Sequence, residues 1–145
     1  MKALIQRVAH ASVSVDKIII GEINTGILAL VGVESDDTSD RADKLLHKLL
    51  NYRIFSDEND KMNKSLLDIH GGLLLVSQFT LVANTKSGLR PSFSSAADPL
   101  LGEQLFNYLL GQAKQKYDIV ATGQFGAHMQ IDLINDGPVT FLLEV

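Results

Sequence analysis

Residues Gly71–Pro91 read GGLLLVSQFTLVANTKSGLRP. The stretch opens with Leu73-Leu74-Leu75-Val76, an apolar run with no polar alternation, which is the pattern of a strand buried on both faces. It then turns polar without a break at Ser77, Gln78, Phe79 and Thr80. A loop rich in Asn, Thr, Ser and Gly follows, carrying Lys86 and Arg90 and closing on Pro91. Two readings fit these residues. One is a core strand whose polar end meets solvent. The other is a site in which rigid backbone positions donors and the loop supplies access.

Upstream, residues 2–9 alternate, with Leu4, Gln6 and Val8 on one face and Ala3, Ile5 and Arg7 on the other. Residues 12–15 alternate again, and Asp16-Lys17 offers a tight turn into Ile18–Ile23, so this part reads as a hairpin. Residues 27–33 form a second doubly apolar run. Asp37, Thr38 or Ser39 is suited to cap a helix over 38–51, where Ala42, Leu45, Leu46, Leu49 and Leu50 recur at three- and four-residue spacing. Arg53-Ile54-Phe55 reads as a short strand, and Ser65–Ile69 as a further turn or short strand.

Downstream, Asp98-Pro99 supplies an N-cap and a first-turn proline for a second helix ending near Lys116, with Leu101, Leu105, Tyr108 and Leu109 on its apolar face. Gly102 and Gly111 weaken that helix locally. Three β-like runs close the chain: Asp118–Ala121, Ala127–Ile134 and Val139–Val145. Between the last two, Asn135-Asp136-Gly137-Pro138 carries a strong hairpin-turn signal, although proline removes a donor where a strand is about to begin. Without a regular strand–helix alternation, the order favours an α+β fold, a barrel-like mixed sheet with two main helices in one domain spanning 1–145.

The chain has 145 residues, 46% of them apolar, enough for a sizeable core. No apolar run approaches the roughly 18 residues of a membrane helix, and MKALIQRVAH lacks the hydrophobic region of a signal peptide. Zero cysteines exclude disulfides and thiolate metal sites, so a soluble cytoplasmic protein is expected. A net charge of −4 gives no global sign of nucleic-acid binding.

Chemistry is sparse. His10, His47, His70 and His128 show no metal-motif spacing, no GxSxG elbow or Gly-rich phosphate loop is present, and the carboxylates cluster in turns. Ser77 and Thr80 are the hydroxyls best placed to attack, yet neither has an identifiable base, and a hydroxyl attacks poorly without one. A catalytic site here would act on an already labile bond through positioning and oxyanion stabilisation, with the amides of Gln78 and Phe79 as donors.

Two spaced motifs then carry a resemblance. Ser77-Gln78-Phe79-Thr80-Leu81 and Asn135-Asp136-Gly137-Pro138-Val139-Thr140 are similar to the SQFTL and NxGPVT motifs of the D-aminoacyl-tRNA deacylases. Gln6-Arg7-Val8, Gly32-Val33, Arg53–Phe55, Lys61–Asn63, Arg90-Pro91-Ser92-Phe93, Ala96-Ala97 and Gly123–Ala127 fit as well, so the likeness spans the chain. Lys86-Ser87-Gly88 departs from it, standing where Lys-Lys-Gly is expected and removing one positive charge from the loop.

The resemblance implies a hydrolase, a homodimer without metal or cofactor, that cleaves the ester between a D-amino acid and the terminal adenosine of tRNA. This is chiral proofreading, a step of translation quality control. It implies a cis Gly137-Pro138 peptide reaching into the partner subunit's pocket, where backbone excludes the Cβ of an L-residue. A side chain could rotate away and would exclude less reliably. Glycine has no Cβ, so glycyl-tRNA is expected to be cleaved too. Ser77, Gln78, Phe79 and Thr80 are the expected catalytic set, with Phe79 on the adenine side. Phe125, Met129 and Asn135 are the expected pocket, and Lys86 and Arg90 the expected contacts to the tRNA acceptor end. A non-catalytic RNA-binding dimer module and an esterase of free D-amino-acid derivatives are the alternatives.

Overall fold

The computed structural model describes residues 1–145. The chain begins with one long strand, β1 (Lys2–Val15), where the pattern suggested two short ones. The break in alternation is a change of partner within a continuous strand. Ala3 and Ile5 face one core, whereas Val8, Ala11 and Val13 face another, and the register irregularity between Val8 and His10 switches them. Asp16 and Lys17 both have positive φ, 50° and 67°, which matches the right-handed twist of a two-residue hairpin turn into β2 (Ile18–Ile23).

Next, β3 (Gly26–Gly32) pairs antiparallel with the first half of β1, from Lys2↔Gly32 to Val8↔Gly26, while β2 takes the second half of the same edge. Helix α1 (Ser39–Asn51) buries the five residues its spacing predicted. Thr38 stands at its N-cap without a side-chain bond. Asp37, another candidate cap, is turned inward instead. Its Oδ1 accepts from the Met1 ammonium at 2.5 Å and its Oδ2 from the Glu34 amide at 2.7 Å.

A small hairpin of β4 (Phe55–Ser56) and β5 (Met62–Lys64) stands apart from the main sheet, so the strand expected at Arg53–Phe55 begins only at Phe55. The Ser65–Ile69 segment is a short helix, α2 (Leu66–Ile69). Ser65 caps it, and Asp68 returns a bond to the Ser65 amide at 2.7 Å.

The opening stretch supplies β6 (Gly72–Ser77), parallel to β3 from Gly26↔Gly72 to Val31↔Ser77. Gly26 is required by close approach, because a Cβ there would lie 2.0 Å from the Gly72 carbonyl oxygen. Helix α3 (Pro99–Lys116) has the expected limits, with the Asp98 side chain accepting from the amides of Leu100 and Leu101. Its buried stripe differs from expectation. Gly102, Leu105, Phe106, Leu109 and Ala113 are buried, while Tyr108 stays 36% exposed and its hydroxyl donates to Asp43 Oδ2 at 3.0 Å. Both faces of the helix carry apolar residues there, and a polar hydroxyl is cheaper to place at the rim than in the core.

A short β7 (Val120–Thr122) adds parallel to β6, and β8 (Gln130–Glu144) runs antiparallel along the whole free edge of β1. The two strands expected on either side of Asn135–Pro138 are thus one strand, and that segment is no chain-reversing hairpin. Asn135 and Thr140 oppose Val8 and Gln6, so five steps on β8 face two on β1 and the excess bulges outward.

The main sheet has the order β2-β1-β3-β6-β7 with β8 on β1. It curls until its ends nearly meet: a Cβ at Gly21 of β2 would lie 2.6 Å from the Thr122 carbonyl oxygen of β7. Leu28, Leu74 and Val76 fill the concave side, while Ile27, Leu73 and Leu75 pack on α1 and α3. Burial of β3 and β6 on both faces follows from this α+β, barrel-like arrangement. No helix is long and apolar enough to cross a membrane.

Candidate active site

The site begins where the β3–β6 ladder ends. Ser77 pairs with Val31, and the Gln78 amide donates to the Val31 carbonyl at 2.7 Å. Gln78 then leaves the strand at φ −141° and ψ 82°, and Phe79–Val82 forms a 3₁₀ turn. The turn lies close over β3, since a Cβ at Gly32 would fall 2.7 Å from Val82 Cγ1. The Phe79 and Thr80 amides open this turn and so have no acceptor within it. The Gln78 amide, expected as a donor from sequence, is already committed to β3.

Beside the turn is a cavity of about 270 Å³ whose walls include Val31, Val33, Ser77, Phe79, Gly102 and Phe125. The N-terminus of α3 forms one side. Asp98 stands there, but its Oδ1 accepts from the Leu100 and Leu101 amides at 2.9 and 3.1 Å, so its charge is spent on the helix end. Phe125 is braced by Phe106, with ring centroids 6.2 Å apart, and lies against Gly102, where a side chain would take up the space.

The structure brings Ser77, Gln78, Phe79 and Phe125 together around this cavity. Thr80 is next to it and exposed. Its hydroxyl accepts from the Gln78 side-chain amide at 2.6 Å, and an amide is not a base that can activate it. Met129 points elsewhere, packing against the concave-side core, with its sulfur accepting from the Gln124 amide at 3.4 Å.

None of residues 135–138 lines the cavity of its own chain. They form the bulge of β8, where Gly137 and Pro138 are exposed and joined by a cis peptide. Asn135 staples the base of this bulge. Its Oδ1 accepts from the Val139 amide at 2.9 Å and its Nδ2 donates to Thr140 Oγ1 at 2.9 Å. Arg7 holds the other side: Nε donates to the Asp136 carbonyl at 3.0 Å and Nη1 to the Ile54 carbonyl at 2.8 Å. The sequence places Arg7 in a stretch that fits the family but gives it no role, because an arginine on an alternating strand carries no signal of what lies opposite.

Lys86 and Arg90 sit on an exposed loop whose neck is a two-bond bridge between Asn84 and Ser92, at 2.8 and 3.0 Å. From Gly71 to Ala97 these are the only charged residues, so the segment is locally cationic in a chain of net −4. Nowhere do three or more His, Cys, Asp or Glu side chains converge in a way that would hold a metal ion. The arrangement offers two free amides beside a largely apolar cavity and a cationic approach, with Asp98, the cap of α3, as the one carboxylate on its wall.

A family model described as D-Tyr-tRNA(Tyr) deacylase matches residues 4–144. A D-aminoacyl-tRNA deacylase of Stutzerimonas stutzeri (strain A1501) is 67% identical, with 99% of each chain covered. One of Pseudomonas fluorescens (strain Pf0-1) is 65% identical over the same share of both chains. Among solved structures, a c-Myc DNA unwinding element binding protein superposes with a TM-score of 0.95 at 39% identity, covering 100% of this chain and 99% of its own. A probable eukaryotic D-amino acid tRNA deacylase shares the fold at a TM-score of 0.85 and 16% identity, over 99% and 98% of the two chains. With its SQFTL turn and its β8 bulge inside a match that runs almost from end to end, this chain belongs to the D-Tyr-tRNA(Tyr) deacylase family.

Proposed function

We propose that the protein is a D-aminoacyl-tRNA deacylase, a hydrolase that cleaves the ester between a D-amino acid and the terminal adenosine of tRNA. Water adds to the ester carbonyl carbon, the bond from that carbon to the ribose oxygen breaks, and the leaving oxygen takes a proton. Free tRNA and the D-amino acid result. The observation that carries this reading is the pair of uncommitted amides, of Phe79 and Thr80, beside a largely apolar cavity in which no base is hydrogen-bonded to Ser77 or Thr80. Such donors stabilise the developing oxyanion. An aminoacyl ester is labile enough to hydrolyse with that help, and the substrate's ribose 2′-hydroxyl organises the water. Ser77 and Gln78 position the ribose and ester, and Phe79 and Phe125 flank the adenine side.

Selectivity in this reading comes from a second copy of the chain. Gly137 and Pro138 are exposed and line no part of their own chain's cavity, which leaves them free to enter a partner's. β8 is an edge strand with Leu133, Ile134, Phe141 and Leu142 exposed at 36%, 62%, 37% and 51%. An apolar edge of that length calls for a cover, and a homodimer supplies one. In that dimer Asn135, at the base of the bulge, borders the completed pocket. Backbone occupying the space of an L-side chain rejects L-esters and has nothing to reject in glycine. The enzyme works in the cytoplasm, where aminoacyl-tRNA is used.

The test is deacylation of matched D-, L- and glycyl-tRNA. D-tyrosyl-tRNA and glycyl-tRNA are expected to be cleaved and L-tyrosyl-tRNA spared. Inertness toward all three would favour a non-catalytic nucleic-acid-binding module. Equal cleavage of small D-amino-acid esters would favour a general esterase. Complete resistance of glycyl-tRNA at high enzyme concentration would remove the steric account of selectivity.

A further inference from the structure

Phe93 lies outside the cavity, is 40% exposed, and packs its ring on Phe79, itself 62% exposed, at a centroid distance of 5.2 Å and a tilt of 44°. Two large aromatic rings that lean on each other yet stay open to solvent are costly to leave uncovered. The backbone that carries Phe93 is fastened on both sides. Ser92 is bridged to Asn84, the Ser95 hydroxyl donates to the Val82 carbonyl at 2.8 Å, and the Ala97 amide donates to the Val33 carbonyl at 3.0 Å. The ring is therefore held out, on rigid backbone, at the edge of the site.

Its surroundings select the kind of ligand. Lys86 and Arg90 are on the same loop, exposed, and neither is ion-paired with a carboxylate. No carboxylate occurs between Gly71 and Ala97. Exposed aromatic faces beside unpaired cations form the usual surface for single-stranded nucleic acid, with phosphates on the cations and bases on the rings. The cavity, at about 270 Å³, has room for one nucleoside end only, so the strand leaving it must cross what lies outside.

We infer that Phe93, leaning on Phe79, is a stacking platform for the nucleobase that precedes the terminal adenosine of the tRNA substrate. This rests on the deacylase reading above and extends it, by giving the enzyme a grip on the RNA that an aminoacyl-adenosine fragment lacks. Lys86 and Arg90 hold the phosphates on either side of that base.

The experiment compares two esters, D-tyrosyl-tRNA and D-tyrosyl-adenosine, in the wild type and in Phe93→Leu, Phe93→Ala and Phe93→Tyr. Leucine keeps apolar packing on Phe79 and removes the π-face, while tyrosine keeps both. The ratio of kcat/KM for the tRNA ester to that for the adenosine ester is expected to fall about tenfold in the Leu and Ala variants, the loss of roughly one stacked base. The Tyr variant should retain the wild-type ratio. An unchanged ratio in the Leu variant, or parallel losses on both esters, would overturn the platform.

A second readout is independent of turnover. With 2-aminopurine at the base before the terminal adenosine of a non-hydrolysable amide analogue of the acceptor stem, binding to the wild type should quench fluorescence, and binding to Phe93→Leu should not. Wild-type cleavage of D-tyrosyl-tRNA without quenching would sink the platform and leave the deacylase reading intact. No cleavage by the wild type would sink the deacylase reading itself.

Discussion

Arg7 grips the Asp136 backbone: its Nε donates to the Asp136 carbonyl at 3.0 Å and lies 3.2 Å from that residue's carboxylate. The next residue, Gly137, has φ +138°, and a Cβ there would meet Val139 Cγ2 at 2.6 Å. The bulge is thus shaped by a glycine and clamped by an arginine that reaches Ile54 as well. Lysine cannot make both contacts with one ammonium. Arg7→Lys is expected to raise cleavage of L-aminoacyl-tRNA about tenfold, since a hydrogen bond from a charged group contributes roughly 1.5–3 kcal/mol. Matched D- and L-deacylation assays check this. Unchanged selectivity in a folded variant would mean that the clamp is dispensable.

Thr80 has Gln78 as its hydrogen-bonding side-chain partner, at 2.6 Å. Thr80→Ala removes that bond and leaves the Thr80 amide in place, so turnover of D-tyrosyl-tRNA should fall by less than about tenfold. Rapid quenching of the wild type should trap no acyl-enzyme. Loss of all activity together with a trapped ester would make Thr80 a nucleophile.

Ile134 is 62% exposed on β8, beside the bulge. Ile134→Glu puts a charge on the apolar edge and, in the proposed homodimer, should shift the protein from dimer to monomer in analytical ultracentrifugation. In the proposed arrangement the monomer loses its discrimination between D- and L-esters. A variant that sediments as a monomer and still spares L-tyrosyl-tRNA would show that selectivity needs no second subunit.

The Met1 ammonium and Asp37 carboxylate form a pair at 2.5 Å in which both groups have no exposure, and Arg41 Nη1 also donates to Asp37 Oδ1 at 3.1 Å. Removing Asp37 leaves the buried ammonium with the more distant Glu34 carboxylate, at 3.1 Å, as its one ion-pair partner. Asp37→Ala is expected to cost about 3–5 kcal/mol in urea unfolding. A loss under about 1 kcal/mol would indicate that water reaches the pair.

Asp68 Oδ2 accepts from the Ser65 amide and hydroxyl, each at 2.7 Å, and these bonds hold its carboxyl below the ordinary value of 3.8. A folded value below the unfolded one means that the contribution to stability is complete above the ordinary value. It is lost as pH falls through the folded one. The stability gap between wild type and Asp68→Asn should therefore be constant from pH 7 to 5 and shrink below about pH 4. Urea midpoints across that range test it, and a gap at pH 3 undiminished from its value at pH 5 would contradict the cap's role.

Local elements were legible in the chain because their causes are local. The spacing of Ala42, Leu45, Leu46, Leu49 and Leu50 names the buried face of α1, and Asp98-Pro99 sets the start of α3. The apolar runs of β3 and β6 announce burial on two sides. The buried face of α3 was misread at Tyr108 and Phe106, since a helix apolar around much of its girth reveals its buried side only once a sheet is packed on it. Asn135–Pro138 was ambiguous for a related reason. The same residues suit a hairpin turn or a bulge, and the pairing of Val8 with Asn135 and Gln6 with Thr140 decides between them.

For the site, the residues of the SQFTL turn and the cationic loop stood out in the sequence, and their motifs carried the family. The one-residue offset of the free amides did not, because only the β3 ladder claims the Gln78 amide. The sequence by itself determined the two main helices, the doubly buried runs of β3 and β6, and which chemical groups the site has to work with. Only the tertiary structure decided that the SQFTL turn faces an apolar cavity, that Arg7 holds the bulge, and that Gly137 and Pro138 lie away from the cavity of their own chain. Those are matters of register between strands distant in sequence, and register is set by the packing of both sheet faces at once.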